Sequence, residues 1–138
     1  MNNIENGWYR ISVKALIYNK SGEFLLCKED NGVWDIPGGG LDHGEDPINC
    51  ITRELKEEMG LEVVFINKTP KYFVTANKPE SKTRPWIANI CYEVKVKDLN
   101  YNTSKECVEI GFFSPEKVNT INAIVNVIEL SKIMLENK

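Results

Sequence analysis

Hydrophobic and polar positions along this chain change period several times, and each change marks an element. Residues 9–18, YRISVKALIY, place Ile11, Val13, Ala15 and Ile17 at every second position, the spacing of a strand with one buried face. Residues 19–22 read as a turn, and 23–28, EFLLCK, as the second strand of a hairpin. A short extended piece follows at 34–36, ended by Pro37 and the three glycines Gly38, Gly39 and Gly40. The period then lengthens. Ile48, Ile51, Leu55 and Met59 recur as the core-facing stripe of a helix. Asp46 suits its N-cap, Pro47 its first position and Gly60 the left-handed position past its end. Residues 61–66, 71–76 and 86–96 read as further strands, with polar connections at 77–84 and 98–105. Residues 109–113 make a short strand, 115–118 a helical turn and 121–136 a C-terminal helix covering one sheet face. The order β-β-α-β-β-β-α predicts an α/β fold, a mixed sheet flanked by helices, in one domain over residues 1–138.

Three glutamates, Glu54, Glu57 and Glu58, are expected off the apolar stripe and together on one helical face. An ionised pair at ~5–6 Å costs roughly 3 kcal/mol at an effective dielectric of ~20, falling to a few tenths on an open helix. Such a cluster calls for a cation, and a hard divalent ion, Mg²⁺ or Mn²⁺, is the natural one. Taken alone, the run Arg53-Glu54-Leu55-Lys56-Glu57-Glu58 would be read as a solvated face with ion pairs such as Arg53–Glu57.

Its surroundings change that reading. Gly39, Glu45, Arg53, Glu54, Leu55, Glu57, Glu58, Gly60 and Leu61 follow the spacing G-x5-E-x7-R-E-L-x-E-E-x-G-L. This resembles the Nudix box, residues 39–61 here, of the MutT-like Nudix hydrolases. The resemblance implies an α/β/α sandwich with a mixed sheet. It also implies Mg²⁺-dependent hydrolysis of a diphosphate linkage in a nucleoside diphosphate derivative (a nucleotide, nucleotide sugar or ADP-ribose type), with Mn²⁺ as an alternative ion. Glu57 and Glu58 match the metal-binding pair, and Glu54 matches a position that serves as ligand, general base or both. Arg53 matches the arginine that orients the glutamates, and Glu45 a supporting carboxylate. Gly39 marks a close backbone approach, with its carbonyl a candidate ligand. Asp42 stands where many members carry glutamate. Members often add a carboxylate from a loop after the last long strand; Glu106 and Glu109 qualify, and Glu106 is preferred as ligand or base.

The substrate's organic part is less legible. Arg10, Phe73 and Arg84 are candidate contacts, among a wider set of aromatics (Trp8, Tyr9, Trp86, Phe112, Phe113) and cations (Lys71, Lys78, Lys82). Two competing readings use the same fold: a non-catalytic nucleotide-binding sensor, and an enzyme acting on capped RNA. A net charge of −3 gives no long-range attraction to nucleic acid. Cys27, Cys50, Cys91 and Cys107 form no C-x-x-C pair and read as small buried hydrophobes of a reduced, cytoplasmic protein. His43 reads as an exposed loop residue. No apolar run reaches the ~20 residues of a membrane span, the N-terminus lacks a signal-peptide pattern, and a homodimer is compatible with the pattern.

Overall fold

A computed structural model describes residues 7–77 and 85–137. Strands β1 (Tyr9–Leu16), β2 (Phe24–Lys28), β3 (Trp34–Asp35) and β4 (Gly38–Gly40) precede helix α1 (Pro47–Met59). Strands β5 (Val63–Ile66), β6 (Tyr72–Ala76), β7 (Trp86–Val96) and β8 (Glu109–Phe113) follow, then a short 3₁₀ helix at Pro115–Thr120 and helix α2 (Val125–Glu136). The larger sheet has the order β4-β1-β7-β5. β1 runs parallel to β7, with Val13 opposite Ile90, and antiparallel to β4, with Val13 opposite Gly39. The far edge of β7 carries both β5 and β6, each antiparallel. A second, smaller sheet is ordered β3-β2-β8.

The mixed α/β architecture is the expected one, with three differences of detail. β1 and β2 do not form a regular hairpin: beyond one bridge between Tyr18 and Phe24 they belong to different sheets. Both edges of β1 are taken by β4 and β7, so β2 pairs with β3 and β8 instead. The glycine run, read as the end of an extended piece, is itself strand β4. The C-terminal helix begins at Val125 rather than 121, because the preceding residues pair with β3. There Trp34 N–H donates to Asn122 O and Ile124 N–H to Trp34 O. The expected connection at 77–84 lies, apart from Asn77, outside the described residues.

Helix α1 starts and stops where its sequence says. The Asp46 carboxylate accepts from Ile48 N–H at 2.8 Å and Asn49 N–H at 3.2 Å, and Gly60 has φ 69°. Ile51, Leu55 and Met59 are fully buried. They pack with Val13, Ala15 and Tyr92 of the larger sheet and with Ile17 just past β1. Glu58 departs from expectation, for it is only 8% exposed. Three residues past Leu55 and seven past Ile51, it lies on the edge of the apolar stripe, not off it. On the other side, Leu16, Phe24, Leu26, Trp34, Val74 and Cys91 meet Val127, Leu130 and Met134 of α2. β1 is therefore buried on both faces over its second half. No helix among the described residues is long and apolar enough to cross a membrane.

Candidate active site

The start of the site is the strand–turn–helix unit from Asp35 to Glu58. Gly38 has φ 145°, and a side chain there would collide with the Val13 carbonyl, so only glycine lets β4 lie against β1. At Gly39 an added Cβ would meet the Glu54 carboxylate, with Cδ 2.5 Å away. The helix thus sets Glu54 directly on the glycine strand. Together with Lys14, Asp35, Ile36, Glu58 and Glu106, these glycines line a cavity of about 280 Å³.

Arg53 organises the exposed rim. Its Nε and Nη2 donate to the two oxygens of Glu45 at 3.0 and 3.2 Å, a bidentate grip. Its Nη1 donates to Glu54 at 3.0 Å and to Glu57 at 3.2 Å. Glu45 also accepts from Asp42 N–H at 3.3 Å. Partial desolvation works against the Glu45 charge, but these bonds win and hold its carboxyl below the usual range. Arg53 is thus tied to Glu45 on one side and to Glu54 and Glu57 on the other.

Glu54, Glu58 and Glu106 converge, with one carboxylate oxygen from each lying within 4.8 Å of the others. Burial, then a hydrogen bond with Glu54 and the nearby Glu106 charge, push Glu58 up to about 9, against the pull of Lys14. A carboxyl group this crowded keeps its proton unless a cation replaces it. Three hard oxygen donors in one small volume fit a divalent ion such as Mg²⁺ or Mn²⁺. Glu57 is not part of this group. It is 60% exposed, bound to Arg53, and faces an adjoining groove shared with Glu54, Glu58, Lys105 and Glu106. Glu109 is exposed and pairs with Lys28 at 4.0 Å, so Glu106 is the loop carboxylate that reaches the helix.

The proposed substrate contacts are not brought together. Arg10 lies on Gly40 and donates to Leu41 O at 3.1 Å, beside the cavity but not lining it. Phe73 is 62% exposed on β6 and, through Ile90, shares the sheet face of Val13, opposite to that of Lys14. Arg84, with Lys78 and Lys82, lies outside the described residues. Lys71 is bound to Glu93 at 3.3 Å and sits over the Tyr18 ring. Trp8, Tyr9 and Trp86 are exposed, while Phe113 packs edge-on against Trp34. All four cysteines are free and buried, and His43 is exposed.

One pair escaped the sequence reading: Lys14 and Asp35. Lys14 is buried on β1, and its Nζ lies 3.5 Å from Asp35 and donates to Ile36 O at 3.3 Å. The signal was a lysine between Val13 and Ala15 in an otherwise apolar run; such a residue must find a partner if the strand is covered on both faces.

Comparison with known proteins agrees with this geometry. The family model of the NUDIX domain matches residues 8–131. A MutT-like protein from Streptomyces ambofaciens is 28% identical over 88% of this chain and 75% of its own length. An RNA pyrophosphohydrolase from Wolbachia pipientis wMel is 29% identical over 73% of this chain and 72% of its own. The crystal structure of the MutT protein from Methanosarcina mazei Go1 superposes with a TM-score of 0.73 at 28% identity, covering 94% of this chain and 96% of that one. Glu54, Glu57 and Glu58 are carried on one helix behind a glycine strand, and the match runs nearly the length of the chain. The protein belongs to the Nudix hydrolase family and is an enzyme of its diphosphohydrolase kind.

Proposed function

We propose that this protein hydrolyses a diphosphate linkage in a nucleoside diphosphate derivative, using water and a divalent cation, Mg²⁺ or Mn²⁺. The observation that carries this reading is the convergence of Glu54, Glu58 and Glu106 on the cavity that the glycine strand opens. Glu58 would hold the cation together with Glu54, Glu106 or both, and the Gly39 carbonyl would be a further oxygen. Glu57, held by Arg53 in the adjoining groove, would be a further ligand. When bound, the cation would offset phosphate charge and make its bound water more acidic. Arg53, fixed by Glu45, keeps Glu54 and Glu57 at their separation. Gly38 to Gly40 give a diphosphate a wall without side chains.

The general base is Glu54 or Glu106. Glu54 is held by Arg53, whereas Glu106 stands on an exposed loop. The variant Glu54→Gln or Glu106→Gln that loses turnover while keeping Mn²⁺ affinity identifies it.

A second reading concerns the substrate, and the name of the Wolbachia relative, an RNA pyrophosphohydrolase, favours it: a diphosphate linkage carried by RNA. A sensor without turnover has less support, because every box glutamate is retained. One panel separates the three. Nucleoside triphosphates, nucleotide sugars, ADP-ribose, dinucleoside polyphosphates and a 5′-triphosphorylated oligonucleotide are incubated with Mg²⁺, and products are separated by chromatography. Selective cleavage of a small nucleotide supports the proposal. Cleavage of the oligonucleotide alone moves it to RNA ends. Binding without any cleavage overturns it.

A further inference from the structure

Lys14 is an ammonium on the strand face opposite Ile11, Val13, Ala15 and Ile17, and that face is covered as well over the second half of β1. Its chain neighbours Val13 and Ala15 are fully buried, and Lys14 itself is 8% exposed. A buried ammonium is retained only where it has partners. Those given by the structure are Ile36 O at 3.3 Å and Asp35 at 3.5 Å, both longer than the about 2.8 Å of a tight charge-assisted bond. They occupy at most two of its three N–H donors. Burial disfavours its charge, but Asp35 and Glu58 outweigh this and keep it protonated. Among the described residues lining the cavity it is the only cation, in a lining it shares with Glu54, Glu58 and Glu106.

We propose that Lys14 is the phosphate-contacting group of the cavity, holding a non-bridging oxygen of the diphosphate beside the carboxylates that would hold the cation. This rests on the hydrolase reading above. A diphosphate has more charged oxygens than one cation can cover, and an ammonium in the same cavity neutralises those that the cation leaves uncovered. Asp35 and the Ile36 carbonyl are positioning groups. They park the ammonium at the cavity edge and are loose enough to let it turn to an anion. The competing role is structural: Lys14 could serve only to keep Glu58 ionised for metal binding.

The two roles predict opposite responses to Lys14→Met. The variant is titrated with Mn²⁺, followed by electron paramagnetic resonance, and with Mn²⁺–pyrophosphate, followed by calorimetry; thermal unfolding checks that it is folded. A phosphate contact predicts pyrophosphate affinity lower by about 10- to 100-fold. Mn²⁺ affinity stays unchanged or rises, because a like charge has left the vicinity of the ion. Unchanged pyrophosphate affinity overturns the proposal, and so does a parallel fall in Mn²⁺ affinity, which assigns Lys14 to Glu58. If Lys14→Met does not fold, Asp35→Asn decides, since it keeps Lys14 and removes the anion that competes with phosphate for it. Pyrophosphate then binds as tightly as to the wild type or more so, and a tenfold loss overturns the proposal. A wild type that binds Mn²⁺–pyrophosphate not at all defeats the hydrolase reading itself, and this inference with it.

Discussion

Glu58 and Gly39 show what single residues contribute. Glu58 has a raised proton affinity in the folded, metal-free protein, reaching about 9, because it is buried beside Glu54 and Glu106. In the unfolded chain it titrates near the usual carboxylate value of about 4.3. Below that value both states carry the proton. Between there and about 9 the folded state holds more protons than the unfolded one, so stability falls as pH rises. Without metal, the melting temperature is therefore expected to decline across this range. Saturating Mg²⁺ or Mn²⁺ should flatten the decline, and so should Glu58→Gln without metal. Calorimetry in matched buffers reads both, and an unchanged slope in Glu58→Gln would assign the decline to other groups. Gly39→Ala makes a different prediction. The atoms nearest its methyl group would be the carboxylate end of Glu54, a side chain and not backbone. The fold should survive with a small change in melting temperature, while kcat/KM drops at least about tenfold because Glu54 is displaced. A steady-state assay beside a thermal melt separates the two effects.

Among the elements, α1 was legible almost in full and the sheets only in part. Its N-cap, its first proline, its terminal glycine and most of its buried stripe are local rules, and each was met. The one error, Glu58, came from reading its charge before its position. Strand partners are not local. Nothing in residues 9–28 says that β1 has both edges occupied, which sends β2 to another sheet. Nothing in residues 121–124 says that they pair with Trp34 before the helix starts. Two substitutions test the elements separately. Asp46→Ala removes the acceptor of two N–H groups and should cost about 1 kcal/mol with kcat/KM nearly unchanged. Gly38→Ala should be worse: its φ of 145° disfavours a side chain, and the methyl would strike the backbone of β1. A loss of more than about 2 kcal/mol in denaturant unfolding is expected, since strain and a broken strand contact add. A loss no greater than that of Asp46→Ala would mean that β4 adapts.

For the whole molecule, two apolar layers leave β1 covered on both faces, and the cavity opens at the glycine strand beside it. This explains which parts of the site the sequence showed. The carboxylates of α1 sit at helical spacing and could be read directly. Glu106 came from the family resemblance, and the fold brings its loop to the helix. Lys14 and Asp35 belong to strands of different sheets, so their meeting is a product of the tertiary arrangement alone. The exposed aromatics Phe73 and Trp86 were candidates by type; register puts Phe73 on the sheet face of Val13, the face that α1 covers, but neither aromatic lines the cavity.

The most direct measurement is turnover of the diphosphate panel, in Mg²⁺, by the wild type and by Glu58→Gln side by side. Glu58 is the buried member of the three converging carboxylates, and its amide keeps the shape while removing the charge. The expected result is cleavage by the wild type and a rate at least about 100-fold lower in the variant, from loss of a charged ligand. Equal rates in the two proteins would contradict the role given to Glu54, Glu58 and Glu106.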